Sequence, residues 1–591
     1  MKRIAKATVK VFEFPVDIEY LSHEPGEHEH PLLIAMNTWT KRVTLGSLIV
    51  LTLALSVPAA EPPKDTPAGE AWKIGWPSMI GPTGNMLPLC TPTPLVEDLS
   101  QARLAWVSED NDLGHGKYTS KVFTGHDAVE EKIGPDTKVH PGNWAGVVVT
   151  DGRVYGASYR NAGPVFTAPY SSRTGYQKGN PPEVPTRFRV EAEDLVICFD
   201  AANGKVLWKA VEPGGQIYSG SKRSGFQVAP AVDEGRVFAV GSTGKIFAYD
   251  AVSGKKLWQG DVGDAHKERE AYRVESLKLA AAGKIVIPKM GDWGTSVVVA
   301  DGVVVTGDFK GGLRGYDAAT GDFKWTVSNC LDYRTSTPNV WRHKGKAWIL
   351  CVSTSLFLID PQNGKVAWKV DGLGPNPGTL APGERSVMVN VNKPDKTVRH
   401  GLGIWGCYRI SPEKAEKAWA MADTVLNSFN ITGDARTSFS TRIRDGRVLV
   451  WTEGRQNEGA AGFGKVDPGR IVLLDEETGA ELLSVQNAHW SSVRGFSGNV
   501  LWLGDRAIVR TVNGHHRSCI FIDWIVTPKA IAPRFGDEKK GIDLIEFMGS
   551  YDIVASTPLV DGRMFERMED GRLACYDLRQ TSNQPTKSSK E

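Results

Sequence analysis

Short apolar runs of strand length recur along the chain, each followed at a fixed distance by turn residues and then by a tryptophan. Leu195-Val-Ile-Cys-Phe199 and Lys245-Ile-Phe-Ala-Tyr249 are two such runs, and both read as strands. After the first comes Asp200-Ala-Ala-Asn-Gly204-Lys-Val-Leu-Trp208, and the same Asp-x3-Gly-x3-Trp spacing returns at Asp250, Gly254, Trp258, at Asp317, Gly321, Trp325 and at Asp360, Gly364, Trp368. A further copy, Asp475, Gly479, Leu483, keeps the acid and the glycine but replaces the tryptophan. Each copy predicts a hairpin. The Asp side chain accepts from backbone N–H groups just downstream, and the Gly supplies the positive φ that closes the turn. A large aromatic at a constant distance beyond the turn can fill the gap between neighbouring sheets.

Units of several short strands repeating at roughly 40–50 residues are the pattern of propeller blades. Clear blades fall at about 146–212, 225–262, 292–328, 334–371 and 437–487. Two longer intervals hold degenerate copies. Ser386–Val391, Gly403–Ile410 and Lys417–Met421 form one, with Trp419 where the repeat aromatic belongs; Asn499–Leu503, Ala507–Val512 and Ser518–Ile525 form the other. Near the C-terminus, 553–580 supplies three strands and no Gly…Trp strand after them. Near the N-terminus, Ala102-Arg-Leu-Ala-Trp106-Val resembles an outer strand with no hairpin before it. Joining the two closes the ring and removes its free edge. The expected fold is therefore all-β, an eight-bladed propeller of four-stranded antiparallel blades spanning 102–580. Seven blades is the alternative if one degenerate interval is a linker.

Composition fits this picture: 591 residues with 63 Gly, 34 Pro and 18 Trp. A formal net charge of +2 without a dense Lys/Arg stripe gives no reason to expect nucleic acid as a partner. Residues 1–35 fit nothing else in the chain and read as a disordered extension upstream of the true start. From Met36, Lys41-Arg42, the apolar run Val43–Val57 and Pro58-Ala59-Ala60 have the order of a signal peptide over 36–60. The apolar run is shorter than the ~20 residues of a bilayer span. The chain is expected to be exported, periplasmic or secreted, without a transmembrane helix after cleavage, and monomeric. Residues 61–101 read as an N-terminal linker and loop, and 581–591 as a disordered tail. The seven cysteines are an odd number for an exported chain. Cys198 and Cys575 precede the Asp by two residues in their repeats, so they read as small buried apolar residues in separate blades rather than a pair.

Long insertions fall between second and third strands at Ser158–Glu193, Asn392–Gly401, Glu453–Gly469 and Asn513–Arg517, and the segment 110–143 leads onto the same face. Residues just ahead of the inner strands line the mouth of the axis: Trp144, Gln227, Trp293, Arg334, Ser438, Arg494 and Ser556. Of these, Trp144, Trp293, Arg334 and Arg494 form the candidate binding funnel, suited to a planar or anionic ligand. His489, His515 and His516 fall on the same side, but no carboxylate stands at a ligand spacing beside them, and no metal is assigned.

The repeats, the Trp76-Pro77-x3-Gly81-Pro82 stretch and the unpaired N-terminal strand together resemble the PQQ-like β-propeller repeat proteins over about 72–580. That superfamily includes quinoprotein alcohol dehydrogenases and the assembly lipoprotein BamB. The dehydrogenase resemblance implies PQQ with Ca²⁺ in the funnel, an Asp base, a stacked Trp and a vicinal disulfide. Asp292 beside Trp293 is the candidate acid, but there is no Cys-Cys pair. The BamB resemblance implies a lipidated cysteine at the cleavage site, and Ala59-Ala60-Glu61 has none. Fold does not choose between functions here. A binding or scaffold propeller, engaging a protein, polysaccharide or small-molecule partner at the funnel face, is the first reading. A PQQ- and Ca²⁺-dependent oxidoreductase is the second.

Overall fold

The structure is a computed structural model. It describes residues 66–113, 146–168, 186–216, 228–284, 295–308, 310–331, 336–374, 379–391, 405–421, 441–451, 455–456, 466–467, 469–487, 500–513, 518–533, 542–543, 557–568 and 571–580.

Eight antiparallel sheets follow one another along the chain as the blades of a propeller. Blade 1 is built from Val148–Thr150, Arg153–Ala162, Glu191–Asp200 and Val206–Gln216, from the axis outward. Blades 2, 3 and 4 begin at Ala231–Asp233, Val298–Ala300 and Asn339–His343 and end at Lys256–Asp261, Phe323–Val327 and Val366–Val370. In blade 5, Ser386–Asn390, Trp405–Ile410 and Ala415–Ala420 form the ladder. Its innermost position falls to 379–383, where Pro382 can donate no ladder hydrogen bond and Gly383 N–H turns back to Ser386 O at 2.8 Å. Blade 6 runs from Thr441–Arg444 to Glu481–Asn487. Blade 7 runs from Val500–Leu503 to Ala530–Pro533, with Ile542–Asp543 paired to its third strand.

Blade 8 closes the ring. Leu559–Val560, Arg563–Arg567 and Leu573–Asp577 come from the C-terminal end, and Arg103–Val107 adds the outer strand, with Trp106 opposite Cys575. The closure expected from the unpaired N-terminal strand is thus present.

The repeat motif works as anticipated, with one refinement. Asp200 Oδ1 accepts from Ala202 N–H at 2.8 Å, Asp317 Oδ1 from Ala319 N–H at 2.9 Å and Asp360 Oδ1 from Gln362 N–H at 2.8 Å. The glycines lie at φ between 70° and 80° at Gly204, Gly254, Gly321 and Gly364. Each tryptophan then reaches forward to the next blade. Trp106 Nε1 donates to Ala201 O, Trp208 to Ala251 O, Trp258 to Ala318 O, Trp325 to Pro361 O, Trp368 to Ser411 O and Trp419 to Glu476 O, at 2.6 to 3.1 Å. At five of these junctions the ring also lies over the next turn's glycine: a Cβ added at Gly204, Gly254, Gly321, Gly364 or Gly479 would stand 2.4–2.8 Å from it. Glycine is therefore required twice, by its own φ and by the neighbouring blade's indole. Trp325 is buried, whereas Trp106, Trp208, Trp258, Trp368 and Trp419 keep one edge in solvent, so full burial holds at only one of these junctions.

Cys198 and Cys575 are free and buried on equivalent third strands, facing Trp208 and Trp106. Cys407 takes the same position against Trp419.

Among the described residues, two parts of the chain have no counterpart in the sequence pattern. One is helix α2, Gly263–Ala281, in the link between blades 2 and 3. The other is the course of residues 66–101, which starts with helix α1, Ala68–Ile74, and then circles the axis as an irregular strap.

Candidate functional site

The two faces of the ring differ. On the lower face lie the turns between inner and second strands and those between third and outer strands; Ala201 N–H donates to Gly152 O at 2.9 Å, joining one of each in blade 1. The strap enters from this side. Trp76 forms a bridge with Val149 of blade 1, and Pro77 O accepts from Val232 N–H of blade 2 at 2.8 Å. Gly84 O accepts from Asn339 Nδ2 of blade 4, and Pro88 O from Arg444 Nη2 of blade 6 at 2.9 Å. Val96 O accepts from Arg506 Nη1 of blade 7 at 2.8 Å, and Val96 N–H donates to Leu578 O beside blade 8 at 2.7 Å. Several of the strap's backbone polar groups are thus satisfied by the blades, and others within the strap, as where Met86 N–H donates to Ile80 O at 2.8 Å.

Its side chains fill the ring. Met79, Ile80 and Met86 are buried in one core with Val298, Val305 and Ile349 of blades 3 and 4, and Leu87 in another with Leu449 and Trp502 of blades 6 and 7. Met79 Sδ accepts from Ser296 Oγ at 3.2 Å and from Thr337 Oγ1 at 3.3 Å. These hydroxyls belong to a chain of contacts around the axis. Ala229 N–H donates to Ser296 Oγ at 3.0 Å, Ser296 N–H to Thr337 Oγ1 at 3.1 Å and Thr337 N–H to Thr379 Oγ1 at 2.9 Å, linking blades 2, 3, 4 and 5. The sequence signal is a Ser or Thr at or just ahead of several inner strands, at 296, 337, 379, 441 and 557, beside the Ser438 and Ser556 already named.

The upper face carries added chain. Phe166–Ala168 pairs antiparallel with Thr186–Phe188 within the first insertion. Helix α2 lies on the turn between the second and third strands of blade 2: His266 Nδ1 is 2.8 Å from Thr243 O, and Arg269 is buried beneath the helix with Nη1 3.5 Å from Ser242 O. Arg273 pairs with Glu270 on the helix at 2.6 Å and with Glu191 of blade 1 at 2.5 Å. Beside this contact Asp194 is buried and accepts from Ser242 N–H at 2.8 Å. Desolvation pushes its carboxyl up to about 6 against the lowering effect of Ser242.

Two arginines near the axis escaped the sequence reading. Arg442 on the inner strand of blade 6 is buried; its Nη1 donates to Thr441 O at 2.8 Å and its Nε to Val500 O at 3.2 Å. Burial pushes its guanidinium down to about 9, and does the same at Arg567 of blade 8. Both remain cations at neutral pH.

The residues chosen from the sequence, Trp144, Trp293, Arg334 and Arg494 with Asp292, and the histidines His489, His515 and His516, lie outside the described residues. Among the described residues no three His, Cys, Asp or Glu side chains come together as a metal site. The described residues around the axis are hydroxyls, the Met79 thioether, aliphatic side chains and the buried Arg442.

A family model described as outer membrane protein assembly factor BamB matches residues 191–379, which hold all four of the Asp…Gly…Trp turns. The propeller is built of PQQ-like repeats. None of the curated proteins matches the chain. BamB from Moraxella catarrhalis is similar in structure with a TM-score of 0.40 and 11% identity, over 65% of this chain and 91% of that one. The quinohemoprotein alcohol dehydrogenase ADHIIG from Pseudomonas putida HK5 is similar with a TM-score of 0.43 and 12% identity, over 87% and 82%. A europium-containing methanol dehydrogenase gives 0.43 and 12%, over 84% and 89%. The PQQ-like repeats here are identified by the matched segment and by the turn-and-tryptophan junctions, and a propeller of this kind fixes no activity by itself.

Proposed function

We propose that this PQQ-like propeller is an exported binding or scaffold protein that engages a protein, polysaccharide or small-molecule partner through its upper face. The observation that carries the reading is the asymmetry of the ring. The axis is occupied by the chain's own Met79, Ile80, Met86 and Leu87, while helix α2 and the paired strands Phe166–Ala168 and Thr186–Phe188 are added above. A rigid ring with added chain gathered on one side is a usual platform for recognition. The family described for residues 191–379 is an assembly factor, a role of the same kind. Export rests on the signal-peptide pattern of 36–60; among the described residues no helix is long and apolar enough to cross a membrane.

The alternative, an oxidoreductase using PQQ and Ca²⁺, is tested by titrating the purified chain with PQQ in the presence of Ca²⁺ and following absorbance. The scaffold reading expects no saturable change. A saturable change that disappears in Arg334→Glu and Arg494→Glu, with the fold retained, would replace it with the cofactor reading.

A further inference from the structure

Two of the chain's three Asn-Gly pairs, Asn203-Gly204 and Asn363-Gly364, close the turns between the third and outer strands of blades 1 and 4. Both asparagines are exposed. Asn203 Oδ1 accepts from Lys205 N–H at 2.9 Å and its Nδ2 donates to Asp200 Oδ2 at 2.8 Å, while Asn363 Oδ1 accepts from Lys365 N–H at 2.8 Å. In blades 2, 3 and 6 the hydroxyls of Ser253, Thr320 and Thr478 accept from the equivalent N–H at 3.2 to 3.4 Å. The turn therefore needs a side-chain oxygen at this position and not an amide. An amide followed by glycine carries chemistry of its own, because no side chain hinders attack by the glycine nitrogen on the neighbouring carboxamide.

We propose that Asn203 and Asn363 are sites of spontaneous isoaspartate formation that the closed blade junction holds off, and that the modification, once made, keeps the junction from closing. The glycine nitrogen gives up its proton and attacks Cγ of the asparagine. The Cγ–Nδ2 bond breaks, ammonia leaves with a proton, and a succinimide ring remains. Water then opens that ring at either carbonyl, leaving aspartate or isoaspartate. The closed junction opposes the first step. Gly204 N–H donates to Asp200 O at 2.8 Å and Gly364 N–H to Asp360 O at 2.9 Å, so loss of either proton sacrifices a hydrogen bond. The Trp106 ring lies over Gly204, and the Trp325 ring over Gly364, where a Cβ would stand 2.8 Å from it. The same indoles donate to Ala201 O and Pro361 O within these two turns. Each glycine is thus held by its own turn and by the preceding blade, and cyclisation waits for local opening. Isoaspartate places an extra methylene in the main chain just ahead of the glycine and displaces it from beneath the ring. The inference goes beyond the binding reading and stands or falls independently of what the upper face engages.

The test ages the full chain in mildly alkaline buffer, folded or unfolded in urea, and follows the peptides of Asn203 and Asn363 by mass spectrometry. The proposal expects both sites to convert at least about tenfold more slowly in the folded chain. Trp106→Ala should speed conversion at Asn203 and leave Asn363 at the parent rate, and Trp325→Ala should do the reverse. Chain aged in urea and returned to buffer should melt lower than unaged chain, and the Asn203→Gln/Asn363→Gln double variant should lose that fall. Equal rates in folded and unfolded chain would overturn the proposal, and this comparison needs no variant. So would a folded Trp106→Ala chain that converts Asn203 no faster than the parent, or a fall in melting temperature that persists in the double variant.

Discussion

Individual residues show most directly what holds the ring together. Trp325 is buried and donates to Pro361 O at 2.6 Å, whereas Trp208 makes the same contact to Ala251 O with an exposed edge. Replacement of Trp325 by Ala is expected to cost about 3–5 kcal/mol and that of Trp208 less, measured by denaturant unfolding. Gly364→Ala should also destabilise, because its Cβ would stand 2.8 Å from the Trp325 ring at a φ of 71°. Asp194 adds a pH dependence. Its carboxyl is raised to about 6 in the fold from 3.8, so the folded state binds that proton more tightly than the unfolded chain. The stabilisation is full below about pH 4 and is lost as pH rises through 6, about 3 kcal/mol in all at 1.36 kcal/mol per unit. Asp194→Asn keeps an acceptor for Ser242 N–H and carries no charge. It should melt higher than the parent at pH 7–8, with the gain vanishing near pH 4. A gain independent of pH would show that charge is not the cause.

At the level of elements, the sequence displayed the blades and concealed what was added to them. Asp, Gly and Trp at constant spacing mark a turn whose chemistry is local, so the hairpins and the paired ends at Arg103–Val107 and Leu573–Asp577 were readable. Helix α2 was not, because it is polar nearly all round. Its buried residues are Ala265, Arg269, Ser276 and Ala280, so no apolar stripe announces the face it docks. Nor was the strap, whose hydrogen bonds go to six different blades, from 73 to 482 residues further along the chain, and leave no period in its own sequence. The hydroxyl contacts of Ser296, Thr337 and Thr379 were equally hidden, since a serine or threonine ahead of a strand is common and only the ring gives it a partner. The strap makes its own prediction. Met79→Ala leaves a void in the channel and two hydroxyls without their acceptor, and should cost about 2–5 kcal/mol in unfolding experiments. A neutral effect would mean that the strap does not seal the axis.

Over the whole molecule, a closed ring of PQQ-like repeats is filled along its axis by the strap and built up above. The candidate funnel read from the sequence, Trp144, Trp293, Arg334 and Arg494, falls on residues that the structure does not describe, and the described channel instead offers hydroxyls, Met79 and the buried Arg442. The central claim is that partners meet the upper face. It is tested most directly by placing a photo-crosslinking amino acid at Lys267 or Lys278 on helix α2, or at Val252 in a lower-face turn of the same part of the ring, and irradiating cells that make the chain. All three positions are well exposed, at 83%, 71% and 63%. The account predicts a discrete adduct from the helix positions and none from Val252. Adducts from Val252 with none from the helix would contradict it.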